Sequence, residues 1–197
     1  DARSAEASLK YLLFGALASG IMLFGMSLLF GLTGTLAFPE LRAATEGVSG
    51  PRASALLMAL TLMLAGLAFK ISMVPFHMWT PDAYEGAPVA VAALLSVGPK
   101  AAGLALLVRL AAALEPAWLS LMPLVLSLTV ITMTLGNLVA LAQTNVKRLL
   151  AYSTIAQVGY LLIGFAAHTP LGSDALLVYL VAYAFMNLGA FACVVAV

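Results

Sequence analysis

The sequence predicts an all-α membrane protein, a polytopic bundle of transmembrane helices that includes one broken helix. Hydrophobic residues make up 63% of the 197 positions and charged residues only 9%. A soluble domain carries about 45–50% apolar and about 25% charged residues. Six long apolar runs alternate with short polar segments. A chain this poor in charge needs lipid around much of its surface, so we expect the runs to cross a bilayer.

Each apolar run can cross the hydrocarbon core as a helix, which takes roughly 20 residues. Strands are excluded because the runs lack the alternation of a β-barrel. Backbone groups in lipid must also be satisfied within their own segment, which favours helices. We expect a single transmembrane domain, excerpted from a longer chain because its last apolar run has no flanking charge. The predicted spans are residues 9–32, 54–73 with a broken continuation at 74–86, 88–113, 118–142, 146–167 and 174–197.

Three features of the connections predict how the spans are arranged. The links after the third, fourth and fifth spans are only a few residues long, which predicts antiparallel neighbours. The short loop with Lys147 and Arg148 favours the cytoplasmic (or matrix) side, together with the N-terminus, by the positive-inside rule. Trp79 and Trp118 are interpreted as anchors at the membrane interface.

Two lysines lie deep within predicted membrane-spanning runs. Lys70 follows about 16 apolar residues, or about 24 Å of helix, and Lys100 lies about 18 Å from the start of its span. A lysine at mid-membrane costs at least about 2.5–3.5 kcal/mol, so such residues are functional candidates by default. A buried amine readily changes its protonation state, which suits a proton relay. The alternatives are a lysine that reaches the interface or one fixed to a carboxylate.

Helix-breaking residues accompany both lysines. Gly98 and Pro99 precede Lys100, and Pro75 follows Lys70 by five positions. Proline removes a backbone hydrogen bond and kinks a helix. In membranes, interrupted helices are tolerated where they line a cavity or an ion path. The repeated pairing of a buried lysine with a breaker favours a transport function over a passive one.

Weaker candidates lie near the same segments. His77 titrates in a range suited to proton exchange, although an interfacial histidine in a loop is an equal alternative. Glu6 and Lys10 have the i, i+4 spacing of a helix ion pair, which by itself favours an interfacial helix start.

Several functions are excluded by what the sequence lacks. Net charge is +1, which offers no basic surface for nucleic acid. One cysteine, Cys193, excludes an internal disulfide, and we expect a buried, inert thiol. Two histidines and one cysteine do not form a metal site, and the sequence has no glycine-rich phosphate loop. No covalent chemistry is predicted for this chain by itself.

Three stretches carry a family resemblance. Residues 68–88 read AFKISMVPFHMWTPDAYEGAP, residues 6–11 read EASLKY, and residues 136–153 read GNLVALAQTNVKRLLAYS. Together they resemble the N-type (subunit 2) antiporter-like subunits of respiratory complex I, the proton-pumping NADH:quinone oxidoreductase. The string from Thr80 to Pro88 separates this type from the L- and M-type subunits.

The resemblance implies a fold of about fourteen helices with two inverted repeats, of which this chain would span the sixth to eleventh. It implies that Lys70 lies on the broken seventh helix, Lys100 on the eighth, and Lys10 on the sixth. It implies that Lys70, Lys100 and Lys10 take part in proton translocation. With His77 and Glu6 added from the residue-level reasoning, these five are the predicted proton-translocation residues. A glutamate partner and a further ionisable residue would lie before residue 1 and beyond residue 197.

As a subunit of that enzyme, the chain would hold no cofactor, because NADH, FMN, iron–sulfur clusters and quinone would bind to other subunits. Its expected partners are the M-type antiporter-like subunit, small K-, J- and A-type membrane subunits, and lipid. A bacterial inner membrane is favoured over the mitochondrial one by the Ala/Leu-rich composition. Two alternatives stay open: a subunit of a multi-subunit sodium/proton antiporter or membrane hydrogenase, and a structural scaffold.

Overall fold

Every regular element in the computed structural model, which describes residues 2–196, is a helix. Six of these helices are long and apolar enough to cross a membrane. The predicted all-α, polytopic membrane fold is therefore confirmed. The helices are α1 (Ala2–Thr33), α2 (Phe38–Thr45), α3 (Pro51–Ile71), α4 (Trp79–Gly86), α5 (Val89–Ala113), α6 (Glu115–Leu119), α7 (Met122–Leu141), α8 (Val146–Ala166) and α9 (Pro170–Ala196).

The six long helices, α1, α3, α5, α7, α8 and α9, follow the six predicted apolar runs with shifted ends. The first begins seven residues earlier than the predicted Leu9, because the polar residues before it extend the same helix. The fourth begins at Met122, since Trp118 belongs to the separate short helix α6. Polar residues at a helix end change local hydropathy without ending the helix, so hydropathy locates spans better than their boundaries.

Glycines bring two pairs of long helices into close contact. Gly25 of α1 and Gly66 of α3 leave no room for a Cβ atom against the facing helix. Gly136 of α7 and Gly159 of α8 do the same in their own pair. Small residues at such crossings allow backbones to approach closely in a membrane. α5 packs against α9 and α3 rather than α7, so the predicted pairing of the third and fourth spans is wrong.

Helix α3 ends abruptly one residue after Lys70. Ser72 is left-handed at φ 63°, and the Met73 N–H donates to the Ala68 carbonyl at 2.8 Å. This is a Schellman cap with serine in the position that glycine usually takes. The short helix α4 follows at Trp79. The helix therefore stops before Pro75 and not because of it.

Three local predictions are corrected by the structure. Trp79 and Trp118 are buried in the bundle rather than placed as interfacial anchors. Trp79 donates its indole N–H to the Phe69 carbonyl at 3.1 Å, which satisfies the polar atom without an interface. Cys193, expected to be buried, is exposed on α9. The proline at position 99 lies inside a continuous α5, so the chain is not broken beside Lys100.

Candidate functional site

Lys100 lies on α5 and is completely buried. Its Nζ atom donates to the Tyr84 hydroxyl and to the Leu95 carbonyl, each at 3.1 Å. The same atom lies 5.3 Å from the ring centroid of Trp79 and 5.5 Å from that of Tyr84. Aromatic faces attract a cation through their quadrupole, and most strongly where water is excluded. Among the described residues, no carboxylate forms a hydrogen bond or ion pair with this amine.

Pro99 explains why the Leu95 carbonyl can bind Lys100. In a regular helix, this carbonyl would accept the N–H of residue 99, but proline has no N–H to donate. The carbonyl is thus left without its usual helix partner, and the Lys100 side chain supplies one. The predicted breaker consequently affects the site by freeing an acceptor rather than by ending the helix.

Lys70 lies in the last turn of α3, partly buried against α5. A Cβ atom on Gly103 would lie 3.7 Å from the Lys70 Cβ and 2.6 Å from the Ile71 Cγ2 atom. Gly103 is one turn beyond Lys100 on α5. The absence of a side chain there brings the end of α3 against the turn of α5 that follows Lys100. No ion pair or hydrogen bond of the Lys70 side chain occurs within residues 4–196.

His77 lies in the non-helical link between α3 and α4. Its Nδ1 atom is buried and makes no hydrogen bond of ordinary geometry to the described residues, although the ring interacts with the backbone of Pro75. Unpaired buried polar atoms are uncommon and require an explanation. The predicted role of His77 in proton exchange stays a prediction.

The two remaining candidates, Glu6 and Lys10, belong to a network of charges where α1, α4 and α8 meet. Lys10 Nζ lies 2.7 Å from Glu6 Oε1, so the predicted i, i+4 pair is present. The same nitrogen lies 2.8 Å from Asp82 Oδ2 on α4. Arg148 Nη1 completes the network, 2.8 Å from Asp82 Oδ1 and 2.9 Å from Glu85 Oε2. The sequence analysis did not predict the roles of Arg148, Asp82 and Glu85 here.

The start of α8 explains why Arg148 reaches α4. Asn145 caps α8 by accepting the backbone N–H groups of Lys147 and Arg148, at 2.9 and 3.3 Å. Lys147 then donates to the carbonyls of Glu85 and Ala87 at the end of α4, where a cation is favoured. Arg148 therefore binds the carboxylates on the side of α4, and Lys147 binds the carbonyls at its C-terminal end.

The Asp82 carboxyl stays ionised in this network. Burial by itself raises its pKa, but the hydrogen bonds from Lys10 and Arg148 outweigh burial and leave the pKa below its usual value. Asp82 lies outside the six apolar helices. Asp82 is therefore a fixed negative charge at neutral pH rather than a group that titrates there.

Helix α4 connects this network to the buried lysine. Asp82 and Glu85 take part in the ion pairs, whereas Tyr84 between them is buried and accepts the hydrogen bond from Lys100. Thr80, also buried, donates to the Ser72 hydroxyl at 2.8 Å and joins α4 to the cap of α3. One short helix thus carries both carboxylates of the charged network and the direct partner of the buried amine.

Comparison with known proteins identifies the family. The family described as NADH:quinone oxidoreductase/Mrp antiporter, TM, matches residues 1–197, the whole chain. The chain belongs to this family. The match agrees with the resemblance carried by the three motifs.

Two curated relatives within the family are named as quinone oxidoreductase subunits. NAD(P)H-quinone oxidoreductase subunit 2 of Synechococcus elongatus is 52% identical over 196 residues, covering 99% of this chain and 37% of the relative. NADH-quinone oxidoreductase subunit N of Trichlorobacter lovleyi is 48% identical over 196 residues, covering 99% of this chain and 40% of the relative. The chain therefore spans well under half the length of these relatives.

Two solved structures share the fold of the family. A chain of respiratory complex I from Thermus thermophilus is 38% identical with a TM-score of 0.74, covering 95% of this chain and 40% of that one. A chain of the Mrp complex from Dietzia is 30% identical with a TM-score of 0.86, covering 95% and 34%. The fold alone does not separate the two kinds of complex, whereas sequence identity is higher for complex I.

Proposed function

We propose that this chain is part of a membrane-arm subunit of a proton-pumping NADH:quinone oxidoreductase and that it translocates protons through buried lysines. Lys100 carries the proposal, because a fully buried amine held by a phenol, a carbonyl and aromatic faces can gain and lose its charge in place. Membership of the family and the names of the two relatives support the assignment.

The proposed path uses the residues predicted from the sequence. Lys10, Lys70 and Lys100 change protonation in turn as electron transfer elsewhere alters nearby charges, with His77 and Glu6 exchanging protons alongside. The tight packing of α3 on α5 at Gly103 supports transfer between Lys70 and Lys100. The contacts of Lys10 with Asp82 and Glu6 make its protonation dependent on those two carboxylates.

The wider assignment follows from the same proposal. NADH, FMN, iron–sulfur clusters and quinone bind to other subunits, so this chain supplies no electron-transfer chemistry. Its partners are the M-type antiporter-like subunit and the small K-, J- and A-type subunits, in a bacterial inner membrane. The chain is one transmembrane domain in which α3 and α4 make a single interrupted crossing, as part of an inverted-repeat fold.

The test compares Lys100→Met and Lys70→Met in the full-length subunit, within the assembled complex in sealed vesicles. NADH oxidation and vesicle acidification are measured together, and native gels report assembly. Each lysine variant is expected to lower acidification per NADH oxidised, because a thioether cannot hold a proton. The matched control is Arg52→Gln, which neutralises an exposed cation on the first turn of α3. Normal coupling in both assembled lysine variants would refute the proposal.

A second candidate is a subunit of a multi-subunit sodium/proton antiporter, favoured by the TM-score of 0.86 against the Mrp complex chain. The two candidates differ in their energy source. An antiporter exchanges sodium for protons without NADH, whereas the proposed subunit acidifies vesicles only while NADH is oxidised. Acidification driven by a sodium gradient in the absence of NADH would favour the antiporter. A scaffold, the third alternative, would tolerate neutral replacements of both lysines.

A further inference from the structure

Helix α9 presents a narrow buried stripe to the bundle beside Lys100. Tyr183, Asn187 and Phe191 follow one another at intervals of four residues and are 1%, 5% and 1% exposed. Between them, Phe185 is 77% exposed and faces outwards. Residues four apart share one face of a helix, so the three buried side chains point into the bundle together. The polar members of this stripe have no part in the function proposed above.

Tyr183 and Asn187 both bind a single residue of α5, Ser96. The Tyr183 hydroxyl donates to the Ser96 carbonyl at 2.7 Å, and the Asn187 amide donates to the Ser96 hydroxyl. The same amide lies 3.4 Å from the Tyr183 oxygen, to which it also donates. Ser96 itself is 0% exposed. These three residues form a buried hydrogen-bonded link between the two helices, the α5–α9 clamp.

The clamp lies on the turn of α5 that binds Lys100. Leu95, whose carbonyl accepts from Lys100 Nζ at 3.1 Å, directly precedes Ser96. In an α-helix each N–H donates to the carbonyl four residues earlier, so the Ser96 carbonyl is also the helix acceptor of the Lys100 backbone. Pro99 removes one backbone hydrogen bond from the same turn. The bonds from α9 therefore hold a turn that α5 by itself holds less firmly.

Phe191 contacts the other partner of the buried amine. Its ring packs edge-on against the ring of Tyr84, with the centroids 6.0 Å apart. The Tyr84 hydroxyl accepts from Lys100 Nζ at 3.1 Å. Edge-to-face packing is a preferred geometry for aromatic pairs and restricts the position of each ring. One stripe of α9 thus contacts the residues that supply, or directly adjoin, both acceptors of Lys100.

We propose that Tyr183 and Asn187 are positioning residues for Lys100. By fixing Ser96, they hold the Leu95 carbonyl where it accepts from the ammonium. Hydrogen bonds to the charged form of a group favour that form, so the clamp favours the protonated state of Lys100. Loosening the clamp favours release of the proton. This inference rests on the proposed function, in which Lys100 changes protonation.

The placement of the clamp distinguishes positioning from simple helix packing. Hydrogen bonds between polar side chains add only modestly to the association of membrane helices. Apolar side chains would fill the same interface without the cost of burying an amide and a phenol. A clamp that only joined α5 to α9 could also lie at any level of the two helices. This one binds the residue that directly follows Leu95, the backbone acceptor of Lys100.

The experiment uses the full-length subunit in the assembled complex in sealed vesicles, with native gels to report assembly. Asn187→Leu and Ser96→Ala each remove the same side-chain hydrogen bond, and Tyr183→Phe removes the donor to the Ser96 carbonyl. The matched control is Asn137→Leu, which breaks a bond of the same kind between α7 and α8, 2.7 Å long to Tyr160. The initial rate of acidification per NADH oxidised is measured as a function of pH.

The alkaline limb of this pH profile reports a group that must be protonated. Asn187→Leu and Tyr183→Phe should each move the limb to lower pH by about one unit, a tenfold change in the dissociation constant, because a hydrogen bond to a charged group is worth about one to two units. Combining Asn187→Leu with Ser96→Ala should move it no further than either change by itself, because both break one bond. A packing defect would lower the rate at every pH without moving the limb, and Asn137→Leu should keep the limb of the wild type.

An unmoved alkaline limb in assembled Asn187→Leu overturns the positioning role, and so does an equal shift in Asn137→Leu. Should Asn187→Leu not assemble, Tyr183→Phe decides by the same criterion. Lys100→Met in the same assay separates the two proposals. If Lys100→Met loses acidification while the clamp variants keep the wild-type limb, only the positioning role falls. If Lys100→Met pumps normally, the proposed function and the positioning role fall together.

Discussion

The interface between α7 and α8 allows a quantitative prediction for a single methyl group. A Cβ atom on Gly159 would lie 2.7 Å from the backbone nitrogen of Met133 and 2.8 Å from its Cα. Ordinary van der Waals contact begins at 3.4 Å. Backbone atoms cannot rotate away, so Gly159→Ala must push the helices apart by about 0.7 Å. A gap of about 0.5–1 Å forfeits a quarter to a half of each dispersion contact along the interface.

We expect Gly159→Ala to destabilise the protein by about 1–2 kcal/mol. Overpacking costs about 1–3 kcal/mol, and the higher helix propensity of alanine returns about 0.5–1 kcal/mol. The matched control is Gly189→Ala on α9, where no atom lies within 4 Å of the new Cβ, so only the gain applies. The assay is the thermal midpoint of the purified full-length subunit in detergent. A midpoint for Gly159→Ala equal to or above that of Gly189→Ala would refute the close-packing argument.

Two further substitutions address the contacts that hold α4. Asp82→Asn removes the shared anion from Lys10 and Arg148 and should cost about 1–2 kcal/mol at pH 7, because the network is only partly buried. Since the folded pKa of Asp82 is depressed, this stabilisation is present above the unfolded pKa of about 3.9 and is lost as pH falls through the folded value. Thermal midpoints of wild type and variant should therefore converge in strong acid, and a constant gap would contradict the ionic account. Thr80→Val leaves the buried Ser72 hydroxyl without its donor and should cost about 1–3 kcal/mol in the same assay; an exposed counterpart, Thr61→Val, should change stability by less than about 0.5 kcal/mol.

Local features of the fold could be predicted from the sequence because a bilayer imposes them locally. A helix needs a continuous apolar run to cross lipid, and each of the six runs corresponds to one long helix. The partners of each helix could not be predicted in this way. α5 packs on α9, which is distant in sequence, because helix contacts depend on surface shape rather than on loop length.

The candidate site, too, could be predicted only in part from the sequence. Burial of Lys100 follows from its depth in an apolar run, and its burial is complete in the structure. The hydrogen-bond acceptors of its amine could not be predicted. Tyr84 lies on another helix, and the Leu95 carbonyl is available only because Pro99 has no N–H to bind it. The ion pairs of Arg148 were missed for a related reason. Residues 82 and 148 are brought together only by the packing of α4 on α8.

The surroundings of Lys100 have a consequence for how far away a signal can originate. Within the described residues, Lys100 contacts neutral dipoles and aromatic rings. Loss of its proton therefore leaves no unpaired anion in contact with the amine. A charge appearing about 10 Å away changes the energy of an ammonium by about 1.7 kcal/mol at an effective dielectric constant of about 20. With no adjacent counter-ion to dominate the local field, such remote changes decide the balance. The protonation state of Lys100 therefore responds to charges that appear or disappear elsewhere in the membrane.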